Sequence, residues 1–335
     1  MTSPRDEPQV TQVDHLLFIS EFDVSQLNLS AHECCDVMQE IFLAYSRESA
    51  FALPAVHLDI SPGRGFRSLC AAWPGRNIAG NKWFGVRPTM PGQRGVGVQA
   101  LYLLNDYGTG VPLAVISANQ LTGIRTASMS AFVLRAILTD PPPTVGFIGC
   151  GLQASFHLKM IHSLFPELTS VLCYSRSVVS ANALANEAHL SGITAKVLDD
   201  PQAVITGSQV IVTSIPLGPD MRPFLLPDLV KPGAVVLAVD LARPWYTEGL
   251  SSFELKITDD HKQQAQLAPI SSTLGPYGSF DADLSDIAAG KRIAFDPYKD
   301  RAVFAFRGFS LADLGIANLI YEKSRARELG KTLDR

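Results

Sequence analysis

The stretch Pro143-Thr-Val-Gly-Phe-Ile-Gly-Cys-Gly-Leu-Gln-Ala154 decides the fold, because a short apolar run passes directly into a glycine turn that opens a helix. Val145 to Ile148 supply the strand, and Ser155 to Phe165 continue with apolar residues at helical spacing. In a G-x-G-x-x-A turn the first glycine, Gly149, permits the sharp bend, and the second, Gly151, lets the backbone approach a pyrophosphate. Ala154 stands at the third position, which accepts glycine or alanine. The free N–H groups at the start of the next helix face the pyrophosphate charge. In this context the motif predicts a dinucleotide-binding unit in preference to a plain strand-to-helix turn.

Working downstream, Val171 to Tyr174, Ala195 to Leu198, Val210 to Thr213 and Ala234 to Val239 are strand-like and separated by helices or loops. That alternation predicts an α/β fold with a parallel, doubly wound sheet, a Rossmann dinucleotide-binding domain over residues 125–305. Upstream, Leu16 to Ile19 reads as a strand and Ser30 to Tyr45 as a helix, with Ser30 and Glu33 spaced as a capping box. From Ala52 to Ile116 short apolar runs alternate with Pro/Gly turns, which predicts an antiparallel region. Asn105 to Gly110 has the Asx and glycine content of a hairpin loop, with Val111 to Ser117 as the returning strand. A long helix, Thr122 to Leu138, leads through Asp140-Pro-Pro-Pro143 to the glycine turn. A last helix, Leu311 to Leu329, is expected to pack back on the first unit. Residues 1–124 with 306–335 thus form a second α/β domain.

The 335 residues, 47% hydrophobic and 18% charged, are enough for two ordinary domains with real cores. A formal charge of −4 and the absence of lysine/arginine runs give no footprint for nucleic acid or an anionic membrane. The five cysteines include no Cys-x-x-Cys, and an odd count does not suggest a disulfide framework; a reducing cytosol fits. The polar start, Met1 to Pro8, lacks a signal core, and no apolar run approaches the about 20 residues that span a bilayer. A cytoplasmic protein whose partners are small molecules and copies of itself is expected. No His/Cys/Asp/Glu spacing suggests a metal site, and His261, after Asp259-Asp260, reads as a surface-loop histidine.

Three sets of residues have chemistry to offer. Where an acidic residue would bind the ribose of NAD, the second strand ends instead in Ser175-Arg176-Ser177, a guanidinium and two hydroxyls suited to the 2′-phosphate of NADP. NADP(H) is therefore favoured over NAD(H), the competing reading being an exposed arginine after a strand. Val235-Val-Leu-Ala-Val-Asp240 puts a carboxylate at the carboxyl end of an apolar strand, the end that faces the ligand crevice. Desolvated there, Asp240 would exchange a proton near neutral pH; a turn or capping aspartate fits the residues equally well. Lys82 and Arg125 precede the glycine motif. Arg125, placed near the start of its helix where the macrodipole disfavours a cation, calls for an anionic partner such as a substrate α-carboxylate. Read singly, either cation also suits a solvated surface position. His57, Asp59, Arg67 and Asp313 are further polar candidates that the sequence does not rank.

Taken together these segments resemble the ornithine cyclodeaminase/μ-crystallin family over most of the chain. The points of likeness are Gly80-Asn-Lys-Trp, Leu104-Asn-Asp-Tyr-Gly-Thr-Gly-Val-Pro-Leu-Ala, Leu121-Thr-Gly-Ile-Arg-Thr-Ala-Ser, Gly149-Cys-Gly-Leu-Gln-Ala, Val239-Asp240 followed by Glu248-Gly-Leu, and Phe309-Ser-Leu-Ala-Asp-Leu. The resemblance implies a homodimer in which the N-terminal α/β domain, completed by the C-terminal helix, carries substrate binding and dimerisation. It also implies that Lys82 and Arg125 hold the substrate carboxylate and that Asp240 is the acid–base beside nicotinamide C4. Two departures stand out. Ala55 takes the place of a further arginine of the cyclodeaminases, and Ser68 or a neighbour that of a glutamate contacting the distal amine. Ornithine itself is therefore not the expected substrate, and His57 or Arg67 is nominated for carboxylate recognition. The Tyr174-Ser-Arg-Ser segment resembles the NADP-binding ketimine reductases of the family, and the Leu-Asn-Asp and Lys-Trp segments its N-(2-amino-2-carboxyethyl)-glutamate dehydrogenase-like members.

The sequence thus predicts an NAD(P)H-dependent oxidoreductase acting on the C–N bond of a small amino or imino acid. Hydride transfer at the α-carbon would be assisted by Asp240, Lys82 and Arg125. The expected cofactor contacts are Thr126, Gly149, Gly151, Leu152, Gln153, Ala154, Ser175, Arg176, Ser177, Thr213, Ser214 and Val239. The alternatives are an ammonia-releasing ornithine- or lysine-type cyclodeaminase with bound NAD, a non-catalytic NADPH-binding protein, and a structural protein with a vestigial fold.

Overall fold

The structure is a computed structural model that describes residues 15–87, 98–216, 221–267 and 280–335. In chain order the strands are β1 (His15–Ile19), β2 (Phe51–Ala52), β3 (Val56–Ser61), β4 (Arg64–Trp73), β5 (Ile78–Val86), β6 (Val98–Asp106), β7 (Pro112–Ser117), β8 (Thr144–Ile148), β9 (Ser170–Tyr174), β10 (Thr194–Val197), β11 (Val210–Thr213), β12 (Val235–Ala238), β13 (Leu255–Thr258), β14 (Ala282–Asp283), β15 (Ala302–Ala305) and β16 (Lys331–Asp334). The helices are α1 (Glu21–Gln26), α2 (Ala31–Ser46), α3 (Ala118–Ile137), α4 (Leu152–Leu164), α5 (Val178–Leu190), α6 (Pro201–Gly207), α7 (His261–Leu267), α8 (Leu284–Ala288) and α9 (Ser310–Ala326). The polar start and its expected leader lie outside the described residues.

The strands form two sheets. The first runs β16-β1-β7-β6-β5-β4-β2, with β3 paired to β4. It is antiparallel except where β1 lies parallel to β7. Period-two alternation along β6 buries Ala100, Tyr102 and Leu104 against the helices and leaves Leu101 and Leu103 outside. Helices α3 and α9 cover the inner face, with α2 packed on both of them, so α9 does pack back on this sheet as the sequence suggested. The outer face is bare in the single chain: Leu101 and Leu103 lie there with Phe66 and Trp83, whose rings stack at 5.4 Å.

The second sheet runs β10-β9-β8-β11-β12-β15-β13-β14, every pairing parallel. Its central strands are buried on both faces, as their unbroken apolar runs require. One face joins the main core through Val145, Phe147, Val212 and Leu237, and the other closes over a second core around Trp245 and Phe253.

One helix boundary corrects the sequence reading. α3 begins at Ala118, four residues before Thr122, because the Glu21 carboxylate accepts from the N–H groups of Asn119 and Gln120, both at 2.9 Å. A cap supplied from α1, almost a hundred residues away, leaves no local signal. Arg125 consequently sits in the third turn of α3, too deep for the macrodipole argument to hold. The C-terminal helix similarly stops at Ala326, and the chain after it returns as β16 against β1.

Candidate active site

In an open parallel sheet the carboxyl ends of the strands face the ligand crevice. Here the row of ends reads, from one side to the other, Ser175 after β9, Gly149 after β8, Ser214 after β11, Asp240 after β12 and Arg307 after β15. Gly149 has φ +90°, a conformation that L side chains rarely adopt, and a Cβ there would lie 2.7 Å from the Ser214 carbonyl oxygen. The turn is pinned from both sides: Gly149 N–H donates to the Tyr174 carbonyl at 2.9 Å, and Ser214 Oγ donates to the Gly149 carbonyl at 2.8 Å. Gly151 caps α4 with nothing within 4 Å of a Cβ position, and no side chain caps the first turn. An open backbone with unmet N–H groups fits a dinucleotide pyrophosphate.

Around this turn the expected cofactor contacts divide. Leu152 is exposed, Ala154 is buried, and the Gln153 carboxamide oxygen is buried without a hydrogen-bond partner. Ser175 is half-buried and Arg176 exposed, while the Ser177 hydroxyl caps α5 by accepting from Ser180 N–H at 3.3 Å. That leaves the Ser177 O–H as its one free donor. Thr126 lies in α3, where its hydroxyl donates to the Thr122 carbonyl at 2.6 Å. Val239 is half-buried beside Asp240.

Asp240 is 4% exposed. Its Oδ1 accepts from Thr213 Oγ1 at 2.9 Å and its Oδ2 from Ile215 N–H at 3.0 Å, with no cation paired to it among the described residues. Burial pushes the carboxyl up to about 6, against the partial restraint of those hydrogen bonds. Leu241 and Ala242 follow with φ +62° and +47°, so the chain turns in the left-handed region immediately after the carboxylate. Asp240 also serves this turn, for the Ala242 N–H is among the hydrogen bonds that restrain its carboxyl. It is a buried, neutral-donor-held acid able to exchange a proton close to physiological pH.

The second cluster comes from β5, α3 and α9. Asp313, fully buried in the first turn of α9, accepts from Lys82 Nζ at 2.7 Å, and Arg125 Nε lies 3.2 Å from the same oxygen. The arginine contact is a charge contact, not an aligned hydrogen bond, for Arg125 Nε, Asp313 Oδ2 and Tyr102 Oη are all buried without a hydrogen-bond partner. Burial brings the Lys82 ammonium down to about 8, with Asp313 opposing and Arg125 adding to the fall. Burial and then the Asp313 charge push the Tyr102 phenol well up. Two cations facing one carboxylate leave a positive charge to be matched, and an incoming carboxylate is the complementary group.

Strand register joins the clusters. Ala238 of β12 pairs with Ala305 of β15, so Asp240 and Gly308 extend from adjacent strand ends. At Gly308, φ +100°, a Cβ would stand 2.5 Å from Arg125 Nη1, so the absent side chain makes room for the guanidinium. The buried carboxylate of Asp259 accepts from the N–H groups of Arg307 and Gly308 at 3.1 and 2.8 Å and fastens this turn. His57 and Arg67 face each other across β3 and β4, and Arg67 shares its face with Lys82 through the pairings Arg67–Phe84 and Leu69–Lys82. His57 is exposed and Arg67 half-buried, and Arg67 is already paired with Asp59 at 2.5 Å.

His261 corrects the sequence reading: it opens α7, and its Nε2 lies 3.3 Å from Asp286. Its ligand atoms, with those of Asp283 and Asp286, fall within 4.8 Å of one another, but both carboxylates already serve the capping box of α8 and Asp286 also pairs with Lys291. Asp313, unranked in the sequence, stands at the centre of the site. Its role was hidden because its partners lie on two other elements.

Comparison with known proteins supplies the remaining findings. The model of the ornithine cyclodeaminase/mu-crystallin family matches residues 15–328. An alanine dehydrogenase of Archaeoglobus fulgidus is 26% identical over 325 residues, 95% of this chain and 98% of that one. The ketimine reductase mu-crystallin of Rattus norvegicus is 27% identical over 225 residues, 67% of this chain and 69% of its own. Among solved structures, the Thermococcus litoralis Delta(1)-pyrroline-2-carboxylate reductase in complex with NADH and L-proline superposes with a TM-score of 0.83 at 20% identity, covering 94% of this chain and 99% of that one.

Proposed function

The chain belongs to the ornithine cyclodeaminase/mu-crystallin family, and from that premise we propose that it is an NAD(P)H-dependent oxidoreductase that reduces the C=N bond of an imino acid. The observation that carries this reading is a buried acid poised near neutral pH at the end of β12, next to the strand end whose Gly308 packs against Arg125 of a buried Lys–Asp–Arg cluster that retains positive charge. The relatives named above include an imine reductase and a ketimine reductase.

In this reading Gly149, Gly151 and the first turn of α4 hold the pyrophosphate, and Thr213, Ser214 and Val239 line the nicotinamide end. A bound reduced nicotinamide supplies the hydride. Lys82 and Arg125 bind the substrate α-carboxylate and fix the imine carbon over the crevice, with Asp313 orienting both cations. Asp240 donates a proton to the imine nitrogen as the α-carbon becomes tetrahedral, and withdraws it in the reverse direction. Arg176 and the free O–H of Ser177 favour NADP(H) through the 2′-phosphate.

We further assign residues 125–305 to cofactor binding and residues 1–124 with 306–335 to substrate binding and dimerisation. The exposed Phe66, Trp83, Leu101 and Leu103 support a second copy of the chain on the outer face of the first sheet. The test is a nicotinamide oxidation assay with cyclic imines and with 2-oxo acids plus amines. Consumption of NADPH with formation of the amine is the expected result. Ammonia release from a diamino acid without net nicotinamide change would instead assign a cyclodeaminase.

A further inference from the structure

We infer that Arg307, together with Arg243 at the end of the adjacent strand, binds a second anionic group on the substrate, so that the imine reduced by this chain is a dicarboxylate. The inference rests on the imine-reductase reading above and deepens it. Arg307 follows β15 and Arg243 follows β12, the two strands that also bring Gly308 and Asp240 to the crevice. Arg307 Nε and Nη2 and Arg243 Nε are buried, and none has a hydrogen-bond partner among the described residues. The nearby Asp259 does not satisfy them: it is engaged by the Arg307 backbone N–H, not by the guanidinium.

Both arginines are half-buried, and the three buried donors stay unmet unless an anion reaches them, a cost of the order of a lost charged hydrogen bond each. Burial lowers the affinity of the Arg307 guanidinium for its proton, with Asp259 opposing and Arg243 adding to the fall. The Arg307 charge is also felt by His57 on β3, whose imidazole is held down by burial first and then by Arg67 and Arg307. By sequence and register Arg307 precedes Gly308, whose α-carbon packs against the Arg125 guanidinium, and follows the strand paired with the one that leads to Asp240.

Strand order separates this anion from the phosphates of the cofactor. The glycine turn and Arg176 follow β8 and β9, while Arg307 follows β15, four strand steps from β9, or about 19 Å. The anion belongs instead to the molecule held by Lys82 and Arg125. On β4 the residues sharing the Lys82 face are Arg67, Leu69 and Ala71, and Arg67 is already matched by Asp59 of β3, which leaves Arg307 and Arg243 as the cations with unmet donors. Arg307 is in these terms a specificity-determining residue, its planar fork suited to a carboxylate.

The test uses the full chain with NADPH, methylamine and, in turn, pyruvate, oxaloacetate and 2-oxoglutarate, whose imines differ in the second carboxylate. Wild-type kcat/KM for at least one dicarboxylate should exceed that for pyruvate by roughly tenfold or more. Arg307→Ala should lose roughly 10- to 100-fold on that dicarboxylate, with a loss at least tenfold smaller on pyruvate. Arg243→Ala should shift selectivity in the same sense, and Arg307→Lys should recover part of it. A wild-type preference for pyruvate, or equal losses on both substrates, overturns the inference. If wild type reduces none of these imines, the imine-reductase reading fails, and the anion site is judged by binding. N-methyl-L-aspartate should then raise the melting midpoint of the NADPH-loaded protein more than N-methyl-L-alanine does, and Arg307→Ala should erase the difference. Equal stabilisation by the two compounds would overturn the site.

Discussion

The two ends of the crevice are built from different materials. At the cofactor end, Gly149, Gly151 and the start of α4 present backbone, and the few side chains involved are small or exposed. At the substrate end, Lys82, Arg125, Asp313 and Asp240 are buried side chains drawn from β5, α3, α9 and the end of β12. The first arrangement tolerates change in everything but backbone geometry. The second concentrates charge among buried side chains, where each group sets the state of its neighbours: Asp313 keeps Lys82 and Arg125 in place, while Asp240, with no cation beside it among the described residues, keeps a raised proton affinity. In the reaction proposed above, two buried carboxylates about one crevice take opposite roles, an ion-paired anchor and a proton carrier, because one faces cations and the other faces neutral donors.

Substitutions at the two ends should fail in different ways. The largest effect is expected for Asp240→Asn, which keeps the shape and removes the exchangeable proton. Turnover should fall roughly 10²- to 10⁴-fold while NADPH binding, followed by fluorescence, persists; near-normal turnover would remove Asp240 from the mechanism. Lys82→Met removes a charged hydrogen bond but leaves Arg125 to balance Asp313, so a stability loss of about 1–3 kcal/mol should accompany a fall in kcat/KM. An intact melting midpoint would show that the Lys82–Asp313 contact is dispensable. The two glycines offer the sharpest contrast within the cofactor end. Gly149→Ala meets both a positive φ and the Ser214 carbonyl, and should lower stability of the cofactor-free protein by about 1–2 kcal/mol or more. Gly151→Ala enters open space and should weaken NADPH binding with the cofactor-free midpoint unchanged; equal destabilisation by both would contradict the cradle described here.

Smaller changes remain. Arg176→Asp should raise KM for NADPH by roughly tenfold or more, and that for NADH far less, because only the former loses a guanidinium partner; an unchanged preference would leave the arginine a surface residue. The gentlest probe is pH. In imine reduction Asp240 acts in its protonated form, so kcat/KM should decline above about pH 6, approaching tenfold per unit, and in amine oxidation it should rise across the same range. Identical profiles in the two directions would place the proton elsewhere.

The same contrast explains what was legible beforehand. The glycine turn is local, twelve residues in a row, and its strand, helix and parallel sheet followed from apolar runs alone. The capping box at Ser30 and Glu33 was equally local and is present as expected. By contrast, α3 starts at Ala118 because Glu21 of α1 caps it, and Asp313 matters because Lys82 and Arg125 converge on it from two other elements. Arg125 did need an anionic partner, but for burial and not for the helix dipole. Arg307 carried no signal of its own: its chemistry arises from donors that burial leaves unmet, which spacing along the chain does not encode.

Hydride transfer to an imine carbon is tested by supplying NADPH deuterated at nicotinamide C4, together with a 2-oxo acid and methylamine, and locating the label by mass spectrometry and NMR. The expected product is an N-methyl amino acid carrying one transferred deuterium at its α-carbon, formed in step with NADPH consumption. Label remaining on the cofactor, with ammonia released from an amino acid substrate instead, would contradict it.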